Sequence, residues 1–351
     1  MAAQMRIAKN PPPAFALMVF CLYASSFAAP VSSTPASSTT ARSTASPHCS
    51  PGVTLRLTAP QTTQGTALLA ELRSKGKLQG VTGKWSDRPI YFWNDSDSVS
   101  ATDPAAKSAT RKLPASKIAA VGDHRQALLG VDLEKPAGSY PLMIEATMSD
   151  GTHVECSATL RVQAGKFASE RLKVENKFVE PDPEQAKRIA EEQKKLRELF
   201  DHVTPDRLWQ GPFRMPLAGV NGGSNFGKRR ILNGQPRPPH TGADFPAPTG
   251  TPVHATQNGQ VVLAEELYFS GNTVILDHGL GVYSLYGHLS SVDVAVSDQV
   301  TTGTLLGKVG ATGRVTGPHL HWGLTVNKAR INPVQLVHLY EPQRRRVKRT
   351  R

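Results

Sequence analysis

The chain has 351 residues, enough for about two domains that each bury a core. Its formal charge is +13, but Arg344, Arg345, Arg346, Lys348, Arg349 and Arg351 crowd into the last eight positions without the interleaved aromatics that stack on bases, which argues against nucleic-acid binding. No segment reaches the ~20 apolar residues of a membrane helix, so no membrane span is expected in the mature protein.

At the start, Arg6 and Lys9 precede an apolar run from Ala14 through Tyr23, followed by the small residues Ala24, Ser25, Ser26, Phe27, Ala28 and Ala29. That layout predicts a signal peptide over 1–28, with export to the periplasm, the cell envelope or the extracellular space. Cys21 lies inside the apolar run and lacks the small residues that precede a lipidated cysteine. Residues 29–48 are almost wholly Ser, Thr, Ala and Pro, too poor in large apolar groups to build a core, and read as a flexible spacer. Removal of the signal leaves Cys49 and Cys156, an even pair bound for an oxidising compartment. Their separation of 107 positions lacks the short spacing of a thiolate metal site, so a disulfide is expected.

From 49 to 165, short runs such as VTLRL, TALLAEL, GVTGKW, IYFW, ALLGVDL, YPLMIEATM and VECSATLRV alternate with turn residues, which predicts an antiparallel β-sandwich. Its histidines, His124 and His153, have no metal-binding company at ligand spacing and read as surface or turn residues. Residues 166–206 read as a helical connector. Asp182 supplies an N-cap, Pro183 a first-turn proline, and Ala186, Ile189, Ala190, Leu196, Leu199 and Phe200 an apolar stripe. Residues 207–341 return to glycine-rich strands, giving a mainly β chain, and 342–351 form a basic tail. The tail is either solvated or attracted to an anionic envelope.

The chemistry concentrates in 207–341. In HTGAD, His240 and Asp244 are four apart, and even spacing in an extended segment places both on one face. His319-Leu320-His321 would present two imidazoles on one strand face with Cα atoms about 7 Å apart. Tyr286-Gly287-His288-Leu289 adds a fifth group near a turn. Each motif alone is weak or moderate; together they supply the donors of a hydrolytic metal site.

SNFGKR (224–229), HTGADFPAPTGTPVHA (240–255), NGQVV (258–262), GNTVILDHG (271–279), YGHL (286–289), GPHLHWGL (317–324) and INPVQL (331–336) occur in the order of the lysostaphin-type, or LytM-like, zinc endopeptidase domain, which residues 222–335 resemble. The resemblance implies the duplicated hybrid motif fold, Zn2+ held by His240, Asp244 and His321, and hydrolysis of amide bonds in peptidoglycan peptide cross-links. Three protein ligands leave a fourth position open for water, as a catalytic zinc site requires. His288 and His319 are implied as catalytic neighbours of that water. Arg229, in FGKR, is read separately as a candidate substrate-binding residue placed to reach substrate carboxylates or the oxyanion, the alternative being a solvated side chain.

Some relatives carry a tyrosine shortly before the first ligand; this chain has none between Pro212 and Leu267. His254 and His278 fall off the ligand positions and are expected to be structural, and Trp322 to fill the core. Residues 49–164 resemble, more loosely, the β-sandwich that precedes such peptidases, implying a positioning or cleft-covering role and leaving room for a regulatory partner in the envelope. The alternative reading is an inactive relative that activates a cell-wall amidase; such relatives usually lack zinc ligands, and this sequence keeps all three.

Overall fold

The computed structural model describes residues 46–94, 122–173 and 182–339; the signal segment, most of the spacer and the basic tail lie outside them. The described residues fall in one compact unit, so the two β layers and the large C-terminal sheet share one frame. No helix among the described residues is long and apolar enough to cross a membrane.

The N-terminal part is a sandwich. One sheet runs in the order His48–Cys49, His153–Gln163, Gly138–Met148, Leu78–Trp85, Arg88–Pro89, and the facing sheet in the order Val53–Leu57, Ala67–Ser74, His124–Gly130, Phe92–Trp93. Alternating burial along Gly138–Met148 and His153–Gln163 turns one row of side chains inward. Leu68, Leu72, Leu129, Leu142, Ile144, Val154 and Leu160 fill the space between the sheets. The pairing is antiparallel except where Gln61–Thr63 runs parallel to Arg161–Gln163. Cys49 and Cys156 face each other in register and are disulfide-bonded, as expected. Closing so long a loop is worth about 4–5 kcal/mol in the chain-entropy account. His153 is exposed and His124 half-buried, each at the start of its strand.

The connector holds a strand as well as the expected helix. Ser169–Leu172 is a strand, parallel to Arg229–Leu232, which continues into the hairpin partner Gln235–Pro236. Four residues are too short for periodicity to reveal, and their partner lies sixty positions away. The helix spans Pro183–Asp201, capped by the Asp182 carboxylate accepting from the Gln185 N–H at 2.9 Å. Only the C-terminal half of its apolar stripe is used. Leu196, Leu199 and Phe200 pack on Leu263, Leu267, Ile275 and Tyr283, whereas Ala186 and Ala190 are exposed. The N-terminal half meets the sheet through polar groups instead: Glu192 accepts from the Tyr268 N–H at 2.8 Å, and Tyr268 Oη donates to Gln185 at 2.9 Å.

The C-terminal part is a nine-stranded sheet whose main path runs Gly242–Pro246, His319–Val326, Val282–Val292, Gly271–Asp277, Gly259–Leu267, Gln299–Val300. Its core includes Phe245, Tyr286, Leu320 and Trp322, all almost fully buried. The sandwich docks at the end of His319–Val326 remote from His319. There Arg330 makes a two-pronged ion pair with Asp132, Nε to Oδ2 at 2.9 Å and Nη2 to Oδ1 at 2.7 Å. Beside it, the Asn332 N–H donates to the Gly65 carbonyl at 2.7 Å, and Gln335 bonds both backbone polar groups of Ala67. The Trp93 and Trp209 rings meet edge to face at 5.2 Å, joining the two parts in one apolar cluster.

Candidate metal centre

Strand register builds the centre. His319–Val326 lies between Gly242–Pro246 and Val282–Val292, with Asp244 directly opposite His321 on one side and Gly287 opposite His321 on the other. Directly opposed residues bring their side chains together on one face. His240 enters from the loop before Gly242, where its N–H donates to the Lys228 carbonyl at 3.0 Å and its carbonyl accepts from the Gly227 N–H at 2.8 Å.

His240 Nε2, His321 Nδ1 and Asp244 Oδ1 form a nearly equilateral triangle. The nitrogens are 3.0 Å apart, and they lie 3.0 and 2.9 Å from the carboxylate oxygen. Bonds of ~2.0–2.1 Å to a tetrahedral zinc place ligand atoms ~3.3 Å apart, so the triangle needs only a slight opening to admit the ion. His240 Nδ1 lies 3.2 Å from the Asn225 carbonyl, which turns Nε2 toward the triangle.

Burial opposes ionisation of Asp244, but hydrogen bonds from His240 and His321 overcome it and hold the carboxyl well below the usual carboxylate range. Burial also lowers His321, against the bond to Asp244. An ionised carboxylate and neutral imidazoles are the forms that take a metal. At Gly242 a Cβ would come within 2.6 Å of His321 Cε1 and Nε2, so the missing side chain is what lets that ring sit here.

Asn225 ties these groups together. Its Nδ2 donates to Asp244 Oδ2 at 2.7 Å, its Oδ1 accepts from the Asp244 N–H at 2.9 Å, and its carbonyl faces His240. Sequence reasoning gave Asn225 no role. The only available signal was its place in SNFGKR.

His288 and His319 stand alongside. Their rings are 4.7 Å apart, His288 is 5.9 Å from the His321 ring, and His319 Nε2 is 3.8 Å from Asp244 Oδ1. His288 sits at φ +64, held by its N–H donating to the Ser270 carbonyl at 2.6 Å. Its Nδ1 bonds the Thr312 carbonyl at 2.9 Å, and His319 Nδ1 the Gly317 carbonyl at 2.9 Å. Both rings therefore carry the proton on Nδ1 and present Nε2 as an acceptor. Burial, reinforced by His321 and His319, pushes His288 down to about 4.

Arg229 is exposed on its strand, its N–H donating to the Ala168 carbonyl at 2.9 Å, and its guanidinium makes no ion pair or side-chain hydrogen bond among the described residues. The structure thus places it next to Lys228, which bonds His240, but does not bring its side chain into the cluster. His278 is fully buried between the Asn258 carbonyl at 2.6 Å and Ser284 at 2.7 Å, and Trp322 is fully buried, both as expected. His254 is half-buried.

His240, Asp244 and His321 offer two imidazoles and a carboxylate within reach of one ion, a donor set that suits zinc. Residues 238–333 match the model of Peptidase family M23. The chain is 41% identical over 113 residues to the peptidoglycan DD-endopeptidase ShyA of Vibrio cholerae, covering 32% of this chain and 26% of that protein. It is 43% identical over 97 residues to the DD-carboxypeptidase/endopeptidase Mpg of Neisseria meningitidis, covering 28% of this chain and 22% of that one. The chain thus spans about a quarter of the length of these curated relatives. A solved structure of an M23 peptidase from Pseudomonas aeruginosa superposes with a TM-score of 0.50 at 25% identity, over 79% of this chain and 96% of that one.

Proposed function

We propose that this protein is a zinc metalloendopeptidase that hydrolyses amide bonds in peptidoglycan peptide cross-links, acting outside the cytoplasm. The observation that carries the reading is the ~3 Å triangle of His240 Nε2, Asp244 Oδ1 and His321 Nδ1 with two further imidazoles beside it. The names of ShyA and Mpg support the substrate class. A polymer outside the cytoplasm in turn supports the signal peptide read at 1–28.

His240, Asp244 and His321 would hold the zinc, which when bound polarises a carbonyl oxygen and lowers the pKa of a water to ~7. The rest of the chemistry falls to the chain's own side chains. His288 and His319, each with Nδ1 held by a backbone carbonyl and Nε2 left to face the site, accept the proton of the attacking water and return one to the leaving amine nitrogen. Thr312 and Gly317 fix the tautomers through their carbonyls, and Asn225 fixes the carboxylate that anchors the ion. The sandwich, docked through Arg330 and Asp132, would hold the catalytic sheet in a constant relation to the wall.

The test is zinc content of the purified protein together with release of soluble fragments from isolated sacculi. His240→Ala, Asp244→Ala or His321→Ala is expected to abolish both. Full activity in a metal-free ligand variant refutes the assignment.

A further inference from the structure

One basic side chain beside the centre has no task in the chemistry above. Arg314 lies in the loop between the two segments that carry His288's partner and His319. Thr312, two residues earlier, bonds His288 Nδ1 through its carbonyl, and the Arg314 N–H donates to the Phe269 carbonyl at 3.0 Å. Ser270, next to Phe269, accepts from the His288 N–H. The same two short segments therefore cradle His288 and carry Arg314 and Phe269 on their outer side.

The Arg314 guanidinium sits over the Phe269 ring, 4.5 Å from its centre, and that ring is 37% exposed. Aromatic stacking fixes the plane of a guanidinium while leaving the edge of its donor fork open. No described carboxylate pairs with it. Partial burial disfavours its charge most; Tyr268 favours it, while Arg237 and Arg230, backbone-paired at 2.9 Å on the hairpin beside His240, add to the disfavour. Gly313 keeps the loop this close, since a Cβ there would come within 2.3 Å of the Gly271 nitrogen. A stacked guanidinium beside like charges and exposed to solvent is suited to receive an anion.

We propose that Arg314 is a specificity-determining residue that receives a free carboxylate of the peptide substrate close to the scissile amide, with Arg230 and Arg237 adding to the field that draws it in. The proposal rests on the endopeptidase reading. Arg314 is two residues from Thr312, whose carbonyl bonds His288, so the carboxylate belongs near the bond that is cut. A planar, two-pronged acceptor matches the guanidinium fork better than a single charge does.

The experiment uses the full-length, zinc-loaded protein and two synthetic cross-linked peptides, identical except that one carries a carboxylate beside the scissile bond and the other a carboxamide. Cleavage is followed kinetically, and binding to uncleavable versions of both by calorimetry. The parent protein is expected to prefer the carboxylate by roughly 10- to 100-fold, the size of a charge-assisted hydrogen-bonded pair. Arg314→Gln is expected to erase that preference through KM and through binding, with zinc content and kcat on the carboxamide peptide retained. Arg314→Lys should recover part of it, which guards against a folding defect in the first variant. Equal binding of the two peptides by the parent, or an undiminished preference in Arg314→Gln, overturns the proposal. If instead the parent cleaves neither peptide nor sacculi, the endopeptidase reading fails, and the binding arm still decides whether Arg314 selects a carboxylate.

Discussion

Asn225→Ala tests whether the metal centre depends on more than its ligands. The substitution removes the bond from Nδ2 to Asp244 Oδ2 and the bond from the Asp244 N–H to Oδ1, while sparing the backbone carbonyl that faces His240. A bond to a charged carboxylate is worth about 1.5–3 kcal/mol and a neutral one about 1 kcal/mol. Part of this is recovered because the half-buried site lets water solvate the freed carboxylate. A remaining loss of about 1.5–3 kcal/mol corresponds to roughly a 10- to 100-fold weaker grip on the metal, the range known for partners that orient metal ligands. Asn225→Asp should be at least as damaging at equal size, because it replaces a donor with a second carboxylate beside Asp244. The assay is zinc affinity by competition with a chelator, with thermal unfolding of the metal-free protein as a control for folding. Unchanged zinc affinity in both variants would refute the idea that Asn225 organises the centre.

Three further outcomes are expected. His288→Ala and His319→Ala should each retain zinc while losing roughly 10²- to 10⁴-fold in sacculus cleavage, the usual worth of a general acid or base; loss of metal alongside activity would instead make them ligands. His278 is held near 4 by burial, against an ordinary 6.5, so it stays neutral in the fold while the unfolded chain protonates. Stability of the metal-free protein is therefore complete above pH 6.5 and falls towards pH 4, by about 3 kcal/mol if this group acts alone; urea titrations of the parent and of His278→Gln across that window should show the flatter dependence in the variant. Arg330→Ala strips the Asp132 carboxylate of its two-pronged partner and should lower stability by about 2–4 kcal/mol, and a double-mutant cycle with Asp132→Ala should return much of that as coupling.

Much of this protein is legible in its sequence because the determinants are local. Alternation of apolar residues set the strands of the sandwich, Asp182 and Pro183 marked the start of the helix, and a lone pair of cysteines implied the bond between Cys49 and Cys156. The ordered motifs carried the types of all five site side chains. What no local pattern holds is register. His240 and His321 are 81 positions apart, and only the pairing of Asp244 with His321, and of Gly287 with His321, decides that two ring nitrogens and a carboxylate oxygen meet at one point. The same holds for Asn225, whose value lies in the groups it spans, for the strand Ser169–Leu172 with its distant partner, and for the docking of Asp132 on Arg330. Residue types and short spacings fix which chemistry a chain can do, while long-range pairing, closed by burial of a shared core, fixes where it does it.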